Sequence, residues 1–208
     1  MRVEISSLVR EAAATTIYIT HDQAEAFALA DRVGVLQQGQ LIQAGTPEEV
    51  YTRPATPFVA TFTGLSGEIP VRVRPAADGL VEVDLAGANG ASALRLRRPD
   101  QPLFGRAALL MIRPTGVRLV SPAGGEHHLT GVVADVAFRG RGYEHAVDLA
   151  GFGRLTGVFA ETRAARGEEV GLRLEPGGCH LFAAPGADAA PPPPPPRDAA
   201  EVASVNRP

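Results

Sequence analysis

Along the chain, hydrophobic and polar positions change their period in a way that separates helices from strands. Residues 1–14 place Val3, Ile5, Leu8 and Val9 among Arg2, Glu4, Arg10 and Glu11, the spacing of a short amphipathic helix. Thr15 to Thr20 is instead a run of β-branched and aromatic residues, which predicts a buried strand. His21 and Asp22 interrupt it. Asp22 suits the cap of a following helix, whose apolar face would be Ala24, Phe27, Ala28 and Ala30. Val33, Val35 and Leu41 then alternate with less apolar neighbours around Gln38–Gly39, which reads as a hairpin with its turn there. Thr46-Pro47-Glu48-Glu49 is a helix start with a Thr cap, an early Pro and a Glu three residues on. Pro54 ends that helix, and Pro57 to Phe62 predicts another short one.

From residue 67 to 183 the pattern is β throughout. Short runs at 68–74, 80–85, 92–97, 107–113, 129–137, 143–149, 153–159 and 168–174 are separated by Gly, Pro or Asp turns. Their spacing predicts a small antiparallel barrel or sandwich. Residues 184–208, with six prolines at 191–196, have too little apolar surface to offset ordering entropy and read as an extended polyproline II or disordered tail, by default a spacer or coding noise, with binding to an SH3-like groove as the alternative.

Composition narrows the function classes. The formal net charge is −3, which offers no basic footprint for nucleic acid. No apolar run is long enough to span a bilayer, and the first residues lack a secretory apolar region. The single cysteine, Cys179, excludes an internal disulfide and fits a reducing compartment. All 20 basic residues are arginine, so the phosphate-binding loop G-x-x-x-x-G-K-[ST], which needs a lysine, is not in this sequence.

Several motifs taken together carry a family resemblance. Thr15 to Gly39, TTIYITHDQAEAFALADRVGVLQQG, resembles the switch-histidine segment (H-loop) of ATP-binding cassette (ABC) transporter ATPase subunits of the importer type. The helix of residues 1–14, the hairpin, G-T-P-E-E-V-Y and F-V-A-T-F-T-G continue the likeness to the end of that nucleotide-binding domain. ALLMIRPTGVRL (107–118), LTGVVADVAFRGRGYEHAVDL and GEEVGLRLEPGGCHLF resemble the transport-associated OB-fold (TOBE) domain, with Thr115 where the family often has Glu. The fold class implied is an α/β remnant of a P-loop-type domain over 1–64, then an all-β OB-fold-like barrel over 65–183, then the tail at 184–208. Met1 falls inside a domain on this alignment, and the preceding motifs of the family (P-loop, signature, Walker B) are not in the sequence. A truncated gene or misassigned start is the simpler account of that, a dedicated regulatory remnant the sharper one.

The resemblance implies that His21 contacts the γ-phosphate of ATP and helps orient the attacking water, a role that an imidazole suits because it donates to a phosphoryl oxygen. In this chain alone the role is latent. ATP and Mg2+ are the cofactors of the intact protein, and neither is expected to bind this chain tightly. The implied partners are ABC permease subunits and a second ATPase subunit in a homodimer, with a substrate-binding protein engaged indirectly. The implied location is cytoplasmic, peripheral on the inner face of the membrane. The solute (iron, polyamine, sulfate-type anion or sugar) stays open, with the first two preferred from the domain's size. The alternative is a non-catalytic TOBE-type module that binds a small oxyanion or a partner subunit, or dimerises. A free-standing OB-fold that binds oligonucleotides is a third class.

Other residues have plainer readings. Asp22 and Glu25 share a helix face, but no apolar pocket nearby would raise a carboxylate pKa, so capping and solvation explain them better than acid–base work. Asp31 reads as a structural turn residue. Glu126, His127 and His128 are adjacent in a Gly-rich loop, where neighbouring side chains diverge, so no metal site is expected. Cys179 and His180 would face opposite sides of a strand. Arg139 to Tyr143, RGRGY, is basic beside an aromatic ring. A Gly-rich hairpin bend is the default there, and oxyanion recognition or a subunit contact the alternative.

Overall fold

The computed structural model describes residues 15–85, 94–99, 107–124 and 127–184. The helix expected at 1–14, the start of the strand expected at 92–97 and the Pro-rich tail lie outside them. The chain divides into two compact units between Val59 and Ala60.

In the first unit, helix α1 (Gln23–Leu29) is followed by strands β1 (Val33–Gln37) and β2 (Gln40–Gly45), then helix α2 (Pro47–Thr52). Helix α3 (Pro57–Phe62) follows and straddles the division. The hairpin forms as its sequence predicts, with Gln38 and Gly39 at φ 50° and 79°. Two positive φ values in a two-residue turn match the right-handed twist of the strands. Helix α2 carries a complete capping box: Thr46 accepts from the Glu49 N–H, and the Glu49 carboxylate accepts from the Thr46 N–H. Among the described residues of this unit, Val35, Val50 and Val59 form the buried core, with Val33, Ile42 and Phe58 packed against them.

The second unit is almost entirely antiparallel β. One sheet has the order β12-β6-β3-β4-β5: β12 (Cys179–Ala183), β6 (Ala107–Ile112), β3 (Gly67–Pro75), β4 (Leu80–Asp84) and β5 (Leu94–Arg97). The other has the order β10-β9-β8-β11-β7: β10 (Gly153–Ala160), β9 (Tyr143–Leu149), β8 (Leu129–Phe138), β11 (Glu169–Leu174) and β7 (Val117–Val120). Every run expected from 67 to 174 is a strand where it is described, and β7 and β12 add to them. Strand alternation puts Ile69, Val71, Val73, Val81, Val83, Leu94 and Leu96 into one core with Leu110, Leu129, Val147, Leu155 and Leu172. The arrangement is consistent with an OB-fold-like barrel domain.

Two short 3-10 turns carry the chain from one sheet to the other. Pro114–Gly116 leads from β6 to β7, and Pro176–Gly178 leads from β11 to β12. They bond reciprocally: the Arg113 N–H donates to Gly178 O (2.8 Å) and the Glu175 N–H to Gly116 O (2.9 Å). Gly116 and Gly178 meet face to face, so a Cβ on Gly116 would lie 2.4 Å from Gly178 O. Backbone lies on both sides, and only glycine fits.

The His21 turn and the buried polar groups of the β domain

Thr15 to Thr20 departs from expectation. It forms no strand, and Ile17, Tyr18 and Ile19 are 83%, 51% and 92% exposed. The physical reason lies in its partners. A strand's N–H and C=O groups must pair with a neighbouring strand, and among the described residues no strand pairs with 15–20. The apolar face expected on α1 is also not buried: Ala24 and Ala28 are exposed, and Phe27 instead sets its ring edge-on to Tyr51, with centroids 6.1 Å apart.

The turn after this segment is tightly specified. The Asp22 N–H donates to Thr20 Oγ1 (3.0 Å), and Asp22 Oδ1 accepts from the Glu25 N–H (3.0 Å), so Asp22 caps α1 as predicted. Glu25 Oε2 accepts from both Tyr18 OH (3.1 Å) and Thr20 Oγ1 (3.2 Å). These bonds tie the incoming segment to the first turn of α1 and leave His21 exposed between them. The Glu25 carboxylate raises the Tyr18 phenol above its ordinary pKa, first by hydrogen bonding and then by charge. Glu25 is thus an anchor as well as a solvated residue, a role its spacing hides because Tyr18 and Thr20 lie across a turn from it. Asp31 sits exposed in the bend after α1.

His21 is exposed to solvent, and its sequence neighbours do not by themselves make a phosphate site. Asp22 and Glu25 are carboxylates, which repel an anion, and the chain has no lysine. A nucleotide triphosphate needs N–H groups or cations that other residues would have to supply.

Among the described residues, the most buried charge lies in the second unit. Arg113 is fully buried, and its guanidinium donates to Ala60 O (3.1 Å) and Gly64 O (2.8 Å), joining β6 to the segment that leads into β3. Nothing in the linear pattern marks this arginine as buried, since its partners are backbone atoms about 50 residues away. His180, on β12, is depressed to about 4, by burial first and by the Arg113 charge second. Cys179 is buried and its thiol is pushed up to about 12 by burial, which removes it as a nucleophile. His145 is buried, receives the Ala164 N–H at Nε2 (3.1 Å), and so presents its Nδ1 proton to Val158 O at 3.2 Å.

The adjacent histidines are likewise engaged within the domain. His127 Nε2 lies 3.2 Å from Thr130 Oγ1, while His128 Nδ1 accepts from the Leu174 N–H at 3.0 Å. The two rings therefore serve different partners, and Glu126 lies outside the described residues. Thr115 is exposed within the first 3-10 turn. RGRGY forms the β8–β9 turn, closed by a bond from the Arg139 N–H to Gly142 O at 2.8 Å. Among the described residues no helix is long and apolar enough to cross a membrane.

Within this antiparallel unit, residues 110–182 match the family described as TOBE domain. The chain is related to the ATP-binding subunits of ABC importers, through this domain and the segment that precedes it. It is 32% identical over 184 residues to the spermidine/putrescine import ATP-binding protein PotA of Borrelia garinii subsp. bavariensis, an overlap that covers 88% of this chain and 49% of that protein. PotA of Marinobacter nauticus is 36% identical over 151 residues, covering 72% of this chain and 39% of that one. The sn-glycerol-3-phosphate import ATP-binding protein UgpC 3 of Rhizobium johnstonii is 43% identical over 132 residues, covering 62% and 37% respectively. The chain thus spans about half, or less, of these relatives. The cytoplasmic molybdate-binding protein ModG, solved with molybdate bound, is 17% identical with a TM-score of 0.46 over 58% of this chain and 97% of that one, too slight a likeness to carry an argument.

Proposed function

We propose that the chain is the C-terminal portion of the ATP-binding subunit of an ABC importer. Residues 1–64 are the end of its nucleotide-binding domain, 65–183 its regulatory TOBE domain and 184–208 a Pro-rich tail. His21 is the switch histidine, placed to contact the ATP γ-phosphate once the rest of the nucleotide site is present. The observation that carries this reading is the Thr15 to His21 segment itself. The β-branched run with Ile17 and Ile19 turned to solvent has the composition of a sheet strand but no partner strand among the described residues, and the turn after it is nevertheless held by Thr20, Asp22 and Glu25. A strand of that composition belongs beside others, and His21 stands at its carboxyl end, where open α/β sheets place ligand-binding groups.

In the intact protein, ATP and Mg2+ are the cofactors, a second ATPase subunit and the permease are the partners, and the location is the cytoplasmic face of the membrane. The solute is set by the permease and the binding protein, and relatives named for spermidine/putrescine and for sn-glycerol-3-phosphate import both match this chain. The test has two arms. The purified chain, given ATP and Mg2+, is expected to show no turnover. An intact subunit that contains this segment is expected to lose at least tenfold in hydrolysis on His21→Ala while still binding ATP. Turnover by the chain alone, or unchanged hydrolysis in the His21→Ala subunit, overturns the proposal.

A further inference from the structure

The turn that carries His21 is built differently from the helix start at α2. At α2 the Glu49 carboxylate takes the Thr46 cap N–H directly (2.9 Å). At α1 a threonine stands between the cap and the glutamate. The Asp22 cap N–H donates to Thr20 Oγ1 (3.0 Å), and the Thr20 hydroxyl donates in turn to Glu25 Oε2 (3.2 Å). The same oxygen accepts from Tyr18 OH (3.1 Å), while Asp22 Oδ1 accepts from the Glu25 N–H (3.0 Å).

A helix cap needs only the Asp22 side chain. The bonds through the Thr20 hydroxyl add the residue before the histidine, so the chain is held at 20 and at 22, on both sides of His21. Helix α1 has no buried residue, so packing does not set this geometry and the hydrogen bonds do. His21 itself stays exposed between its two fixed neighbours. Placement of this kind matters where a side chain must meet a reacting group, because a misplacement of about 1 Å can cost about a hundredfold in rate.

We infer that Thr20 and Glu25 are positioning residues for His21. The bonds that run from the Asp22 N–H through Thr20 Oγ1 to Glu25 Oε2, with Tyr18 braced on the same oxygen, fix the backbone from which the imidazole is presented. The inference rests on the reading of His21 as the switch histidine. It gives Thr20 and Glu25 work that capping alone does not require.

The first arm of the test needs no nucleotide. In the full chain, the backbone amide order parameter of His21, measured by NMR, is expected at about 0.85 and below about 0.6 in Thr20→Val and in Glu25→Ala. Thr20→Ser, which keeps the hydroxyl, is expected to restore it. The second arm uses an intact subunit that contains this segment. There Thr20→Val is expected to lower kcat roughly fivefold or more with KM for ATP unchanged, and Thr20→Ser to recover the rate. Added to His21→Ala, Thr20→Val is expected to cost nothing further, because residues that act through one group are not additive. Unchanged hydrolysis in His21→Ala overturns the switch-histidine reading and this inference with it. A loss in His21→Ala without one in Thr20→Val, additive losses in the double variant, or an order parameter that Thr20→Val leaves unmoved overturns the positioning role alone.

Discussion

Replacing Arg113 with Met tests how the β domain holds the segment that enters it. Met keeps much of the apolar stem but removes both hydrogen bonds, to Ala60 O at 3.1 Å and Gly64 O at 2.8 Å. Leaving a buried carbonyl without its donor costs about 1–3 kcal/mol, which applies in full to Ala60 O and only in part to the half-buried Gly64 O, where water can replace the donor. Against this, Met spares the desolvation of a buried guanidinium, which for an ion is several kcal/mol. The bonds are charge-assisted, which tips the balance toward loss, and we expect a net destabilisation of about 1–2 kcal/mol. With a urea m-value of about 2 kcal/mol/M, the unfolding midpoint drops by roughly 0.5–1 M with the slope unchanged. Urea titration followed by circular dichroism reads this directly. A second readout separates charge from packing: His180 is held at about 4 partly by the Arg113 charge, so its NMR titration moves upward in the Met variant. A variant within 0.5 kcal/mol of the parent, with His180 unmoved, would refute the reasoning.

Two further outcomes follow from the same domain. Gly116→Ala drives a Cβ to 2.4 Å from Gly178 O, and because backbone faces backbone at that corner the change is expected to cost about 3 kcal/mol or more, read as a fall in Tm of at least about 10 °C. Gly177→Ala, where a Cβ meets nothing within 4 Å, is the control and should leave the melting nearly unchanged. The pH dependence of stability has a definite sign: His180 is depressed to about 4 in the fold against 6.5 when unfolded, so the unfolded chain takes the proton first. Its contribution is complete above pH 6.5 and is lost as pH falls toward 4, about 1–2 kcal/mol once solvent screening of the part-exposed ring is allowed for. Denaturation at stepped pH should show that loss diminish in His180→Phe, and an identical pH profile in the variant would remove His180 as its source.

Local signals were legible wherever the partners of a group lie within a few residues. The capping box of Thr46 and Glu49, the Gln38–Gly39 turn and the Asp22 cap are fixed by atoms three or four positions apart, so the residue types alone identify them. Alternation likewise placed the strands of the β domain, because a one-residue slip would turn each apolar set outward. Strand pairing order, the crossing of Gly116 against Gly178, and the burial of Arg113 against carbonyls at 60 and 64 were not legible. Each depends on residues tens of positions away, and no local period records them. Thr15 to Thr20 shows the same division from the other side. Its β-branched composition states a preference for a sheet, but a strand exists only where another strand accepts its backbone bonds, and that is settled by the tertiary structure.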